Sequence, residues 1–295
     1  MPRVIVIGGA NLDIKGRASG TFVGATSNPG EVTVSVGGVA RNIAENLARL
    51  GLDVSLLTVL GDDANGRLVR ETTKGAGVDL SLTLTGPAAT GTYLVILDRH
   101  GELQSALNAM RAIEWLKPQH LEAVVDRLAK ADMLVADCNI DVPCLEWLCA
   151  FSAKTGVRLL IEPVSVPKAK KLLKFVRPKP VFAITPNQQQ LEALTGKIEF
   201  DAAIADLHNI GFDNVIVHRG GQGVVASSTT GQSIVAAIAK KAVADVTGAG
   251  DAAVAGLVAG LLEGLSLAKA AALGQAAASI KLSFFAPVCG RRTQP

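Results

Sequence analysis

The sequence predicts an α/β protein built on a parallel sheet. Short apolar runs alternate along the chain with segments of helical periodicity, and the apolar runs end in glycine or in polar residues. Such alternation is typical of strands joined by right-handed helical crossovers. Because 49% of the residues are hydrophobic and only 4% are aromatic, the core must consist mainly of Ala, Val, Leu and Ile, as is usual for a sheet covered by helices.

Composition bounds the size and the class of the protein. A chain of 295 residues favours one large domain with a small appendage. The net charge of +3, spread along the chain, does not indicate nucleic-acid binding. The apolar run at residues 252–262 is shorter than the ~20 residues that cross a bilayer, which favours a buried helix and no membrane association.

The lysine run and the cysteines do not indicate a binding site. Lys168, Lys170, Lys171 and Lys174 are expected on the solvated face of a helix. The four cysteines lack the spacing of a metal site, so they are expected to be reduced, as in the cytoplasm.

The first strand is expected at residues 4–7, where a continuous apolar run ends in a pair of glycines. Asn11 and Asp13 follow, in the position where open α/β sheets bind ligands, although Asp13 could equally be a turn residue. Two turn-rich segments with alternating apolar residues, 15–36 and 90–107, are expected to pair into a small sheet. A sheet with one apolar face needs a partner, either substrate or another subunit.

A glycine-rich helix start separates these two segments. Gly37 and Gly38 precede an amphipathic helix at residues 43–50 that ends at Gly51. Asn42 would lie in the first turn of this helix and face the same region as Asp13. Capping of the helix is the simpler role for Asn42.

The remaining chain continues the alternation. Strands are expected at residues 54–60, 133–136, 158–161, 181–185 and 214–218, helices at 65–74, 118–130, 143–154, 168–176, 188–194 and 201–209, then a hairpin at 229–232 and two Ala-rich helices to about 283. The strands end in polar residues, among them Asp137, Asn139, Glu162 and Asn187. Parallel strands bring such residues to one edge of the sheet. A Walker A loop and a dinucleotide-binding glycine motif are both absent from the sequence.

A glycine turn before the first Ala-rich helix carries the most specific chemistry. Asp245 and Thr247 precede Gly-Ala-Gly at 248–250, and Asp251 lies at the helix start. Glycine lets the backbone approach a ligand, and the first amides of a helix lack partners, so this turn predicts an anion site. A carboxylate fits there if Asp251 accepts a proton from an attacking hydroxyl, which suggests phosphoryl transfer. An ordinary Gly turn with an Asp near a helix N-terminus is the simpler alternative.

Three motifs together resemble the ribokinase-like PfkB family of carbohydrate and nucleoside kinases. They are Gly8-Gly-Ala-Asn-Leu-Asp13, Gly37-Gly38 before Arg41-Asn42, and Asp245-Val-Thr-Gly-Ala-Gly-Asp251, in the family's order. Ser27-Asn-Pro-Gly30, the helix start at Gly37, Val135-Ala-Asp-Cys-Asn-Ile140 and Pro163-Val-Ser165 further resemble segments of pseudouridine kinases.

This resemblance implies a doubly wound α/β domain, with a mostly parallel sheet and helices on both faces, formed by residues 1–14, 37–87 and 109–295. It also implies a small β lid, residues 15–36 and 88–108, through which the protein would form a homodimer. The implied activity is ATP-dependent transfer of a phosphoryl group to a small-molecule nucleoside or sugar, here the 5′-hydroxyl of pseudouridine. Mg²⁺ is implied, and relatives also bind a monovalent cation such as K⁺.

The resemblance also assigns roles to residues. The acceptor would contact Asn11, Asp13, Gly38, Asn42 and Asn139, whereas ATP would lie along Asn187, His218, Gly220, Gly221, Gly223 and Thr247. Gly248, Ala249 and Gly250 would form the anion hole, with Asp251 as the general base. Asp245 matches a monovalent-cation position. Gln190 replaces the Glu of the family's Asn-x-x-Glu, so Glu192 is the candidate for Mg²⁺ binding through water.

Two other functions stay open from the sequence. The chain could phosphorylate another nucleoside or a free sugar, because lid side chains choose the substrate. It could also be a nucleoside-binding protein with weak catalysis, for which Gln190 is the first sign.

Overall fold

The computed structural model describes residues 1–175, 180–238 and 247–282. Its strands are β1 Arg3–Ile7, β2 Asn11–Ala18, β3 Gly30–Gly37, β4 Asp53–Leu57, β5 Val59–Gly61, β6 Leu84–Gly86, β7 Gly91–Leu97, β8 Leu103–Ala109, β9 Met133–Asp137, β10 Arg158–Glu162, β11 Val181–Ile184, β12 Phe212–His218, β13 Val224–Ser228 and β14 Gly231–Val235. Its helices are α1 Val39–Arg49, α2 Ala64–Gly75, α3 Pro118–Glu122, α4 Val125–Leu128, α5 Val142–Thr155, α6 Val166–Ala169, α7 Gln188–Thr195, α8 Phe200–Asn209, α9 Ala249–Leu262 and α10 Leu267–Lys281. Short 3₁₀ helices cover Arg111–Trp115, Lys170–Leu173 and Gly220–Gln222.

The main sheet has the strand order β14-β13-β12-β11-β10-β9-β1-β4. The neighbouring strands β12, β11, β10, β9, β1 and β4 all run parallel to one another. Strands β13 and β14 are antiparallel additions at the β12 edge. The chain leaves β1 toward β4 on one side and later returns to β9 on the other. The strand order therefore reverses beside β1, and the crevice at such a switch point is where open α/β sheets bind ligands.

Helices cover both faces of this sheet, which confirms the doubly wound architecture. Ile5 and Ile7 of β1 pack in a core with residues of α3 to α8. Val4 and Val6 point to the other face, where the core includes residues of α1, α9 and α10. Alternate side chains of one central strand thus enter two different cores, as expected for a strand buried on both faces.

A smaller sheet has the order β3-β2-β7-β8 and is built from the two segments that the sequence predicted to pair. Its pairing register aligns Ser35, Asp13, Tyr93 and Asn108 in one row across the four strands. Successive residues of a strand point to opposite faces. The neighbouring positions therefore place exposed apolar side chains on the outer face, among them Val32, Val34 and Leu107.

Some predicted elements differ from the structure. The predicted strand at 54–60 is two strands, because β4 pairs with β1 whereas β5 turns away and pairs with β6. The predicted helix at 118–130 is divided into α3 and α4, since the backbone leaves helical geometry at Val124. The predicted helix at 168–176 is replaced by the short helix α6, which starts earlier with Pro167 in its first turn, and by the 3₁₀ turn Lys170–Leu173 that follows it.

Within the described ranges, the helices are all too short or too polar to cross a bilayer.

Candidate active site

Asp137, at the end of β9, anchors the crevice beside β1. Its side chain is fully buried, and its Oδ2 accepts hydrogen bonds from the backbone N–H groups of Gly9 (3.0 Å) and Ala40 (2.9 Å). A Cβ on Gly8, whose φ is 152°, would overlap this carboxylate. Burial raises the pKa of Asp137. One carboxylate thus ties the loop after β1 to the start of α1. The sequence marked Asp137 only as a polar strand end.

Asp13 lies in β2 and faces the crevice. Its Oδ1 accepts a hydrogen bond from Asn11 Nδ2 at 2.6 Å, and a Cβ on Gly37 would overlap its carboxylate. Gly38 precedes α1 with φ at 99°, and a Cβ there would overlap the Gly9 carbonyl. Burial raises the pKa of Asp13. The turn role for Asp13 is therefore wrong, because this residue is inside a strand.

Asn42 and Asp251 meet across the crevice although 209 positions separate them in sequence. Asn42 Nδ2 donates a hydrogen bond to Asp251 Oδ2 at 2.8 Å. Asn42 is four residues beyond Gly38, the N-cap of α1, so the capping role for Asn42 is wrong. Burial and the charges of Asp137 and Asp13 raise the pKa of Asp251 to about 7, against the hydrogen bond from Asn42. A carboxylate in this state can accept a proton at neutral pH.

The glycine turn delivers Asp251 in the first turn of α9. Gly248 has φ at 78°, a left-handed conformation that favours glycine, and α9 begins at the next residue. Gly250 is exposed, with no atom within 4 Å of the place where its Cβ would be. The first N–H groups of α9, on Ala249 and Gly250, have no acceptor within the helix. The turn therefore offers backbone donors beside the carboxylate.

Glu162 completes what we call the carboxylate cluster: Asp13, Asp137, Glu162 and Asp251. Its Oε2 accepts a hydrogen bond from Thr185 Oγ1 at 2.5 Å. Burial raises the pKa of Glu162 to about 8, and the charges of Asp251 and Asp137 add to this rise. Val164, two residues on, has φ at 67°, which is strained for a β-branched residue and is a frequent mark of functional sites.

A pocket of about 310 Å³ lies on the lid side of Asn139. We call it the lysine pocket; it is lined by Asn108, Met110, Ile113, Glu114, Asn139, Asp141, Lys168 and Lys171. Asn139 Nδ2 donates to Asp137 Oδ2 at 2.8 Å, and Asn139 Oδ1 accepts from Lys168 Nζ. Lys171 Nζ donates to the backbone oxygen of Ile140 at 2.9 Å. Asn139 is thus held by neighbours on both sides.

The solvated-face interpretation of the lysine run is wrong for two of its members. Lys170 and Lys174 are exposed, but Lys168 and Lys171 are partly buried and point into the lysine pocket. These two lysines are three positions apart, a spacing that places side chains on one helical face. The sequence carried that spacing, but it could not show what the face contacts.

A larger groove of about 590 Å³ lies beyond the ends of β11 and β12. We call it the outer groove; it is lined by Asn187, Gln188, Gln189, Glu192, His218, Arg219 and Gln222. Gln190 is buried and does not line it. Its Oε1 accepts from Asn187 N, and Asn187 Oδ1 accepts from Gln190 N, both at 2.8 Å. Gln190 therefore caps α7, while Glu192 presents its carboxylate to the outer groove.

Two buried nitrogens of the outer groove, His218 Nε2 and Arg219 Nε, have no hydrogen-bond partner among the residues that the structure describes. Burial lowers the pKa of His218 to about 4, so its ring is neutral at physiological pH. A Cβ on Gly223, which ends this loop with φ at 88°, would overlap the backbone oxygen of Val235. Unpaired buried polar atoms are costly, and a ligand rich in hydrogen-bonding groups, such as a nucleotide, would supply partners.

The other predicted site residues are placed as follows. Gly220 and Gly221 belong to the exposed 3₁₀ turn of the same loop. Thr247 is exposed and directly precedes Gly248, and Asp245 lies outside the described residues. Across the part of the chain that the structure describes, His, Cys, Asp and Glu residues do not form a group of three or more arranged to hold a metal ion.

A doubly wound sheet with a crevice beside β1, where the start of α9 lies next to the Asp251 carboxylate, is the arrangement expected of a small-molecule kinase. The family model described as pfkB family carbohydrate kinase matches residues 1–284. The chain belongs to this family and is an ATP-dependent kinase whose acceptor is a small-molecule sugar or nucleoside.

Named relatives agree with the family. The chain is similar to the pseudouridine kinase of Escherichia coli K12, with 34% identity over 95% of this chain and 90% of that protein. An uncharacterised sugar kinase of the same organism is 35% identical over 94% of this chain and 77% of its own length. Among solved structures, a carbohydrate kinase from Agrobacterium tumefaciens superposes with a TM-score of 0.86 at 31% identity, over 98% of this chain and 93% of that one.

Proposed function

We propose that the protein transfers the γ-phosphoryl group of ATP to the 5′-hydroxyl of pseudouridine. The observation that carries this proposal is the position of Asp251, at the start of α9 and hydrogen-bonded to Asn42, in a crevice flanked by the acceptor residues. The Asp251 carboxylate takes the proton of the 5′-hydroxyl, and the hydroxyl oxygen forms a bond to the γ-phosphorus. The bond between that phosphorus and the bridging oxygen of ADP breaks, and ADP leaves.

The backbone N–H groups at the start of α9 can stabilise the negative charge of the phosphoryl group that is transferred. Phosphoryl transfer depends mainly on positioning and on stabilising negative charge. Gly248 is the N-cap of α9, and Ala249 and Gly250 are its first residues, so their N–H groups have no acceptor within the helix and are available to an anion. Asp251 is suited to be the base because a pKa of about 7 lies near the working pH.

The acceptor would lie between the small sheet and the switch point beside β1. Asp13, Asn42 and the backbone at Gly38 would bind the ribose hydroxyls, with Asn11 orienting Asp13. The base would enter the lysine pocket, next to Asn139. Lys168 has three N–H bonds, and among the described contacts one of them is donated to Asn139. Its remaining donors suit a carbonyl oxygen, and the base of pseudouridine carries two.

ATP would occupy the outer groove. Asn187, His218 and the loop of Gly220, Gly221 and Gly223 would contact it, with Thr247 toward the phosphates. Glu192 would hold Mg²⁺ through water, and that ion would neutralise charge on the phosphate oxygens. We propose that Asp245 contributes to a K⁺ site that shapes the anion hole.

We propose that residues 15–36 and 88–108 act as the lid and as a dimer interface, the main domain being residues 1–14, 37–87 and 109–295. Val32, Val34 and Leu107 leave an apolar outer face of the small sheet in water, and a second copy of the chain would cover it. Sedimentation should show a dimer that Val34→Asp converts to a monomer. A wild-type monomer would refute this interface.

We propose a cytoplasmic location, where buried thiols such as those of Cys138 and Cys144 stay reduced.

A substrate panel tests the proposed reaction. ADP release should be measured with pseudouridine, uridine, adenosine, ribose and fructose at saturating Mg²⁺ and K⁺. Pseudouridine is expected to give the highest kcat/KM. A clearly higher value for another acceptor would reassign the substrate within the family. Binding of pseudouridine without release of ADP, with every acceptor tested, would instead indicate a nucleoside-binding protein.

A further inference from the structure

Arg41 is a buried cation for which the proposed reaction supplies no role. It lies in α1, directly before Asn42, and only 1% of its surface is exposed. Burial lowers the pKa of its guanidinium to about 10, so the side chain is still charged at neutral pH. Burying such a charge is costly unless it is paired and hydrogen-bonded. The partners of Arg41 therefore indicate what it does.

Those partners join three elements. Arg41 Nη1 donates to Asn42 Oδ1 at 2.8 Å and to the backbone oxygen of Val36 at 3.1 Å. Its Nε donates to Thr73 Oγ1 of α2 at 3.2 Å. Glu45, one turn along α1, forms an ion pair with Arg41 and a second one with Arg49. Val36 lies in β3, so the guanidinium connects the small sheet to the helix that carries Asn42.

The contact with Asn42 decides how its amide is oriented. An amide has one oxygen, which accepts, and one nitrogen, which donates. A guanidinium can only donate, and an ionised carboxylate can only accept. With Arg41 on one side and Asp251 on the other, only one orientation satisfies both neighbours: oxygen toward Arg41 and nitrogen toward Asp251.

We propose that Arg41 is a positioning residue that fixes the amide of Asn42 in the orientation that hydrogen-bonds to Asp251, and that anchors this pair to the base of the lid through Val36. The inference rests on the proposed role of Asp251 as the base. Without Arg41 the amide can rotate and present its oxygen to the carboxylate, and the lid loses its bond to α1.

The surroundings of Asp251 give the direction of the effect. The groups that bear on its charge are Asp13 from β2, Arg41 and Asn42 from α1, Asp137 from β9 and Glu162 from β10. Burial and the charges of Asp137 and Asp13 raise its pKa, whereas Asn42 and Arg41 lower it. Losing Arg41 should therefore raise the pKa of Asp251 and move the acidic limb of the kcat/KM profile to higher pH.

The test is a set of α1 variants with the acceptor that the panel identifies. Arg41→Met alone would leave the buried carboxylate of Glu45 paired with Arg49 alone. The double variant Arg41→Met with Glu45→Met therefore removes both buried charges at similar side-chain volume. We expect kcat to fall by about tenfold or more, the scale of a hydrogen bond to a charged group. The KM for ATP should stay within about twofold, because the outer groove is untouched. Arg49→Met is the matched control, since Arg49 also pairs with Glu45 but makes no described contact with Asn42.

Action through Asn42 has its own signature. In an Asn42→Ala background, removal of Arg41 should cost little more activity, because coupled residues are not additive. Arg41→Lys keeps the charge but loses the fork that lets Nε reach Thr73 while Nη1 reaches Asn42 and Val36. Its activity should therefore fall between that of the wild type and the double variant.

Two results would overturn the inference: a folded double variant with wild-type kcat and pH limb, or losses that add in the Asn42→Ala background. Failure of the wild type to phosphorylate any nucleoside or sugar would instead refute the proposed function.

Discussion

Around Asp251 the polar side chains are buried and already paired, whereas those of the outer groove are mostly exposed. Asn42, Asp137 and Asn139 are each less than 10% exposed. Asn42 donates a hydrogen bond to Asp251, and Asn139 donates one to Asp137. In the outer groove Asn187 and Gln188 are exposed, and two buried nitrogens have no hydrogen-bond partner within the described ranges. One half of the site is therefore fixed before a ligand arrives, and the other is left open.

We expect the rate of the reaction to be controlled from the buried half of the site. Charges in a dry, preorganised site interact more strongly than charges in water, because no solvent has to reorganise around them. The carboxylate cluster concentrates such groups near the start of β2, at the ends of β9 and β10, and at the start of α9. Changes there should alter rate by large factors, whereas changes in the outer groove should alter nucleotide or metal affinity by small ones.

The largest expected effect is on the rate with Asp251→Asn. An amide cannot accept the proton of the attacking hydroxyl, so kcat should fall by ~10²–10⁴-fold, the usual scale for a general base. ATP binding, measured by calorimetry, should change little. Asp62→Asn, at an exposed carboxylate, is the control. Near-normal turnover of Asp251→Asn would remove Asp251 from the mechanism. It would also remove the proposed difference between the buried half of the site and the outer groove.

The pH profile sharpens the same assignment. Because the pKa of Asp251 is raised to about 7, the carboxylate is ionised above that pH and protonated below it. The value of kcat/KM should therefore fall about tenfold per unit as pH drops below about 7. Glu162, with a pKa of about 8, is the other candidate for this limb. Glu162→Gln should keep the limb, and its disappearance in that variant would transfer the role to Glu162.

Sequence reasoning found the two faces of the site but not the connections between them. Asn11, Asp13 and Asn42 were predicted because residues after parallel strands and at helix starts gather at one edge of a sheet. The alternation of elements was enough to predict the sheet and the helices on it. The bond between Asn42 and Asp251, over 209 positions, depends on how α1 and α9 pack, and no local pattern encodes that.

Other features depended on pairing register and burial. The row of Ser35, Asp13, Tyr93 and Asn108 exists only because β2, β3, β7 and β8 pair in one register. Lys168 looked like a surface lysine because its contact with Asn139 is made by an element distant in sequence. Gln190 looked like a lost catalytic charge, yet the structure uses it to cap α7.

A smaller effect is expected from Lys168→Met, which tests whether the lysine pocket binds the nucleobase of the acceptor. Loss of a hydrogen bond from a charged donor costs about 1.5–3 kcal/mol, so kcat/KM for pseudouridine should fall by about 10–100-fold. Any activity with ribose, which has no base, should be unchanged. Lys170→Met, at an exposed lysine of the same segment, should affect neither substrate. Equal losses with both substrates would show that Lys168 only supports the structure.

Glycine replacements test the fixed and the open half directly. In Gly8→Ala the new Cβ would overlap the Asp137 carboxylate at a backbone φ of 152°, and such strain costs about 1–3 kcal/mol. In Gly221→Ala the Cβ would meet no atom within 4 Å, so the melting temperature should stay within about a degree. Thermal unfolding measures both variants. Equal stability would mean that the loop after β1 is as adaptable as the outer groove.

The smallest expected effect is on the Mg²⁺ requirement of Glu192→Gln. Glu192 lines the outer groove, where water screens its charge, so its loss should weaken the apparent Mg²⁺ affinity by only about two- to fivefold. Gln190→Glu can keep the cap on α7, because a carboxylate oxygen also accepts the Asn187 N–H. Since position 190 is buried away from the groove, this variant should leave the Mg²⁺ dependence unchanged. Titration of activity with Mg²⁺ at fixed ATP distinguishes the two. If Gln190→Glu lowered the Mg²⁺ concentration needed for half-maximal activity while Glu192→Gln left it unchanged, the metal would be assigned to position 190. Helix α7 would then have to move when the nucleotide binds.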